Sequence, residues 1–127
     1  MGYADLMRFD ADAIALLAAT EEIEIETSAP GGASHRTIIW VVVDGDDAFV
    51  RSVNGPTARW YREAVVDRAV TIHADGRALP ARTVAAADGE SVERVNDALR
   101  AKYTGITGLP EMLQPEIFST TLRLEPA

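Results

Sequence analysis

Residues 35–62 constrain the fold more than any other stretch. His35 to Val43 is dense in β-branched and aromatic residues, Asp44-Gly45-Asp46 offers the residues of a tight turn, and Ala48 to Val53 resumes the strand pattern. A hairpin at the middle of the chain commits it to a sheet with antiparallel neighbours. Side chains alternate along a strand, so Thr37, Ile39, Val41 and Val43 share one face while Arg36, Ile38, Trp40 and Val42 share the other. The first set is aliphatic apart from Thr37 and is expected to line a barrel interior. The second would leave a tryptophan in water unless another subunit covers it, which predicts a homodimer through this face.

The same hairpin is expected to bring Arg36 beside Arg51 and Ser52. Asn54-Gly55-Pro56 then turns the chain into a short helix opening at Trp60-Tyr61-Arg62. Four of the twelve basic residues, Arg36, Arg51, Arg59 and Arg62, lie in this one unit of a chain whose formal net charge is −8. A compact anion site is therefore expected here. The acidic balance argues against non-specific binding to nucleic acid or anionic membranes, so small molecules are the expected partners. Eleven of the twelve basic residues are arginine, which follows equally from genomic base composition or from a need for forked phosphate recognition.

The rest of the chain reads as alternating strands and helices. Asp10 caps a first helix to about Ala19, and Glu22 to Thr27 alternates Glu with Ile as a half-buried strand. The row Glu22, Glu24, Glu26 is read as a solvated face rather than a metal site, because no histidine lies nearby in sequence. Pro30-Gly31-Gly32 makes a flexible loop; it lacks the GK[ST] ending of a P-loop. A second hairpin is expected over Ala69–Ala74 and Leu79–Val84 about Asp75-Gly76, with His73 a lone strand histidine. Val92, Val95, Leu99 and Tyr103 mark a helix over 91–103 with Asp88 or Ser91 as its cap. Leu109, Met112 and Leu113 either cover a cleft or complete the core, the core being favoured. Thr120 to Leu124 closes the sheet.

Length suits one domain over residues 1–127. There are no cysteines, which removes disulfides, thiol catalysis and cysteine-based metal sites. With no apolar run of membrane-spanning length and no export leader, a cytoplasmic protein without a bound metal is expected. Two distant histidines and no GxSxG leave no recognisable hydrolytic nucleophile. The expected fold is α+β: a mainly antiparallel six-stranded split β-barrel with flanking helices.

The strand ending RTIIWVVVDG, its partner ending VRSVNG, the WYR helix start, the later AKY and the terminal TLRLEP resemble an uncharacterised bacterial family, domain-of-unknown-function family 2255. That family is similar to the FMN-binding split β-barrel superfamily and its deazaflavin-dependent nitroreductase branch. The resemblance runs from about Phe9 to Pro126. It implies the barrel, and it implies a function drawn from FMN enzymes, deazaflavin enzymes, heme binders or members with no established cofactor. By position it implies that Arg36 and Thr37 approach a cofactor, that Arg51, Ser52 and Gly55 hold its phosphate end, and that Trp60 opens the following helix. Gly31, Gly32, Ala33 and Ser34 stand where the nitroreductase-like proteins have a Gly- and Lys-rich run, which favours a single FMN phosphate over a polyanionic deazaflavin tail.

The leading expectation is a homodimeric oxidoreductase that binds FMN or a deazaflavin and transfers hydride to or from a small organic molecule. Such chemistry needs no acid/base dyad on the protein. Arg36, Arg51 and Arg62 are the candidates for phosphate pairing, Thr37 and Ser52 for neutral hydrogen bonds, Trp40 and Trp60 for flanking a ring, and Tyr61 or Tyr103 for donating a proton. The alternative is a cofactor-free binding or structural dimer, its arginines paired with acids.

Overall fold

The computed structural model describes residues 8–127. Asp10 accepts a hydrogen bond from the Ala13 amide and so caps α1, Ala11–Ala19. Then follow β1, Glu22–Ser28; β2, Ser34–Trp40; β3, Val42–Asp44; and β4, Asp47–Val50. A 3₁₀ turn over Gly55–Thr57 leads into α2, Arg59–Val66, and then β5, Ala69–Ala74, and β6, Arg77–Ala85. The last third holds α3, Gly89–Lys102, the short α4, Leu109–Met112, a 3₁₀ stretch over Pro115–Thr120 and β7, Leu122–Pro126. No described helix is long and apolar enough to cross a membrane.

Seven strands form one antiparallel, curled sheet in the order β2-β1-β5-β6-β7-β4-β3. The expected α+β split-barrel architecture is present. The seventh strand arises because 35–43 is two strands and not one. β2 pairs back onto β1 around the Gly31-Gly32 loop, with Glu22 opposite Trp40 and Glu26 opposite Arg36. Only β3 forms the expected hairpin with β4, placing Val42 opposite Phe49 and Asp44 opposite Asp47. β2 and β3 are the two outer edges of the sheet, yet a single residue, Val41, joins them.

Side chains hold that break. Val41 donates its amide to the Tyr103 hydroxyl at 3.3 Å, and its carbonyl accepts from Lys102 Nζ at 2.6 Å. The same ammonium donates to the carbonyls of Leu17 at 3.0 Å and Thr20 at 2.7 Å, closing the C-terminus of α1. Tyr103 donates to the carbonyl of Glu21 at 2.6 Å. The strand can leave its ladder because its freed backbone groups find these partners.

The second hairpin turns at Asp75 and Gly76, both at positive φ (47° and 79°), the geometry that follows the twist of its strands. Asp88 caps α3. Two cores result. One fills the barrel and contains Leu17, Ile23, Ile25, Ile39, Val41 and Ile72; the other lies beneath α3 and contains Val42, Phe49, Val95, Leu99 and Tyr103. Ile39 and Val41 thus face inward as their alternation predicts. Met112 is buried in the second core, with Leu109 and Leu113 packed against it.

Candidate functional site

The Val41 break creates a hollow. Had the β3–β4 hairpin continued in register, Trp40 would face Arg51 and Ile38 would face Val53. Because β2 swings away to β1, the space between residues 37–40 and residues 51–54 stays open. A cavity of about 280 Å³ occupies this split, walled by Trp40, Trp60 and Met112 and bordered by Thr37, Asn54 and Glu22. Trp60, opening α2, also belongs to the barrel core.

At its inner side is Arg51, only 2% exposed. Its Nε donates to Thr121 Oγ1 at 2.9 Å, while Nη1 donates to Asn96 Oδ1 at 2.7 Å and to the Met112 carbonyl at 3.0 Å. Nη2 reaches only the Val92 carbonyl, at 3.5 Å. The guanidinium also lies 4.8 Å from the centre of the Phe118 ring. Every partner is neutral. No carboxylate among the described residues pairs with this charge, and burial pulls its pKa down to about 10, so it remains a cation at neutral pH.

The other expected site residues are spread apart. Arg36 does not lie beside Arg51: it sits across from Glu26 on β1, 3.7 Å from that carboxylate and 3.8 Å from Glu24. It borders a separate open groove with His73, Asp75 and Arg77. The groove and the cavity share Glu22 and Ile38 as a common rim. Ser52 lies beside Arg51, but its hydroxyl donates to the Gly55 carbonyl at 2.8 Å. Gly55, at φ 78°, completes that turn. Arg62 is exposed on α2 and donates to the Thr57 carbonyl at 3.1 Å. Thus Thr37, Trp40, Arg51 and Trp60 meet at one cavity, and Arg36, Ser52, Gly55 and Arg62 do not border it.

Trp40 is not left in water either. Tyr103 covers it face to face, with centroids 3.9 Å apart and planes 4° from parallel, and Gly108 approaches its far edge so closely that a Cβ there would lie 3.5 Å from the ring. Ile38, 62% exposed, is what remains of the apolar outer face. Of the two expected proton donors, Tyr103 is fully buried and its hydroxyl is committed to backbone groups. Burial raises its pKa to about 12. Tyr61 donates to the Ser119 carbonyl at 3.4 Å.

Glu22, Glu24 and Glu26 share the more exposed face of β1, as read, though Glu26 has a long-range partner. His73 Nε2 is 2.7 Å from its carboxylate. Among the described residues no cluster of three metal-binding side chains occurs. Sequence reasoning missed Asn96 and Gly108; it named Asn54 only as a turn residue, and Met112, offered as covering a cleft or completing the core, does both. Asn96 carried a usable signal: it is a polar residue inside the apolar stripe Val92, Val95, Leu99 of α3, where an unpaired amide would be costly.

The fold and hollow define a split-barrel protein, and solved structures share that architecture. A conserved hypothetical protein from Mycobacterium tuberculosis matches all of this chain and 84% of its own at TM-score 0.68 and 14% identity. A NimC/NimA family protein from Clostridium acetobutylicum matches 99% of this chain and 88% of its own at TM-score 0.67 and 11% identity. An F420 reductase matches 89% of this chain and 91% of its own at TM-score 0.57 and 20% identity. More particularly, residues 13–124 match the model of a family described as an uncharacterized protein conserved in bacteria, DUF2255, and the chain belongs to that family. No curated protein matches it.

Proposed function

We propose that this chain binds a flavin-type cofactor, FMN or a deazaflavin, and uses it for hydride-transfer chemistry on a small organic molecule. One observation carries the reading: a buried guanidinium without an acidic partner lies at a cavity walled by two indoles. A charge removed from water is expensive unless something neutralises it, and an anionic ligand would do so. Trp40 and Trp60 suit a flat conjugated ring. The similarity of fold to an F420 reductase supports the same class of ligand.

The residues fit such a group in part. Arg51 would supply positive charge to it, Thr37 and Asn54 would offer hydrogen bonds, and the indoles would exclude water from its ring. The bound cofactor would supply the hydride chemistry. The protein would supply orientation and field. At about 280 Å³ the cavity lies just below the range of enclosed small-molecule sites, so a phosphorylated flavin would extend over the shared rim at Ile38 toward Arg36. A second copy packed on that rim would enclose the exposed part, and we propose a homodimer on this ground.

The test is a titration of the purified protein with FMN and with a deazaflavin, followed by visible absorption. Binding is expected, and Arg51→Ala should weaken it by about 1.5–3 kcal/mol, the scale of a charge-assisted hydrogen bond. Arg62→Ala should leave it unchanged. Circular dichroism checks that each variant is folded. Failure of the wild type to bind either cofactor would replace this reading with that of a cofactor-free dimer.

A further inference from the structure

Arg51 offers a ligand very little, and that limits what the ligand can be. Of its five N–H groups, one on Nε and two on Nη1 are spent on Thr121, Asn96 and Met112, and one on Nη2 faces Val92 at the limit of hydrogen bonding. One N–H is left over. The hydroxyl of the neighbouring Ser52 is committed to the Gly55 carbonyl. A phosphate dianion taken out of water needs several convergent donors, commonly amides of a loop or a long helix start. The polar side chains of the cavity lining besides Arg51 are only Thr37, Asn54 and the acidic Glu22, which repels a dianion. What the cavity has is one diffuse positive charge, two aromatic walls, and the free edge of β2. That strand pairs with β1 alone, so half the backbone groups of residues 37–40 face away from the ladder without a strand partner.

We infer that the cavity takes a planar aromatic monoanion, its charge delocalised over a carboxylate or a ring, held between the indoles and against Arg51, and that it does not take phosphate. This rests on the flavin reading only in sharing its cavity. A ring anion of a reduced flavin and an aromatic carboxylate substrate have the same recognition chemistry, and the experiment separates them.

Intact protein is titrated with 2-naphthoate, its neutral amide 2-naphthamide, inorganic phosphate, riboflavin and FMN, using tryptophan fluorescence and calorimetry. Naphthoate is expected to bind at least tenfold more tightly than naphthamide, and millimolar phosphate is expected not to displace it. Because Arg51 is tied into the core and its variants can unfold, the controlling variant is Val53→Trp at the exposed mouth, which should abolish naphthoate binding while the melting temperature stays within a degree or two of wild type. If flavins bind, riboflavin and FMN should compete with naphthoate equally, and reduction of the flavin should strengthen its binding; these results identify the ring as one source. Naphthoate binding with no flavin binding would sustain the inference and remove the flavin reading. Equal affinity for acid and amide, displacement by phosphate, no naphthoate binding at all, or unaltered binding in Val53→Trp would overturn it, even with flavin binding intact.

Discussion

The ring of Tyr103 lies flat on that of Trp40, 3.9 Å between centroids, while its hydroxyl reaches past the stack to the backbone of Val41. One side chain from the end of α3 therefore supports the wall of the cavity and satisfies the strand break that opens it. Its phenol accepts from the Val41 amide and donates to the Glu21 carbonyl.

Tyr103→Phe keeps the stack and removes the hydroxyl. The buried Val41 amide loses its partner, at a cost of about 1–3 kcal/mol when no water replaces it, and the part-buried Glu21 carbonyl loses one too. A lowered urea midpoint with an unchanged slope is expected from equilibrium unfolding. An unchanged midpoint would show that the hydroxyl does not hold the break.

Arg94 of α3 pairs with Asp44 and Asp47, the two ends of the β3–β4 turn, and lies over Phe49. Arg94→Ala should cost about 0.5–1 kcal/mol, as partly exposed ion pairs do, and the difference should shrink in high salt. Ligand affinity should not change, since Arg94 borders no part of the cavity. A loss of affinity equal to that of Arg51→Ala would contradict this placement.

Glu63 ties α2 to the sheet, accepting from Thr27 at 2.8 Å and lying 3.1 Å from His35 Nδ1. Burial pushes its pKa up, but the Thr27 and His35 contacts outweigh that and leave it below its ordinary 4.5. The native state then holds fewer protons than the unfolded chain as pH falls through this range. Stability from this group is complete above the ordinary value and is lost as the pH drops through the lowered one. Thermal melts from pH 6 to pH 3 should fall less steeply for Glu63→Gln than for wild type; parallel curves would refute the assignment.

Ile38 is the exposed apolar residue on the rim shared by groove and cavity. If this face joins two copies, Ile38→Lys should convert a sedimenting dimer to a monomer with little change in the fold. A wild-type protein that sediments as a monomer at micromolar concentration would end the dimer proposal.

The strands, helix caps and second hairpin were legible because each is written locally: Asp10 and Asp88 before helices, Asp75-Gly76 between alternating runs. The first hairpin was legible only near its turn. The β-branched and aromatic run continues unbroken from Thr37 to Val43, and nothing in those residues signals a break at Val41. Its cause lies in Lys102 and Tyr103, some sixty residues further on. Arg51 was recognisable as a candidate, yet its partners Asn96, Met112 and Thr121 come from three other elements, so its burial and its missing counter-charge follow from tertiary packing alone. For the same reason Arg36, placed beside Arg51 by hairpin logic, belongs instead to the ion pairs of β1.

The joining of both sheet edges through Val41 has an architectural consequence. Strands inside a ladder are bound by register, so inserting or deleting a residue there turns a whole row of side chains inside out. The walls around this hollow include Gly108 and Met112, contributed from connectors outside the ladder, beside a seam that no strand pairing closes. Such a barrel can be relined for a new guest by changing the connector between α3 and β7, while the frame that folds the chain stays as it is.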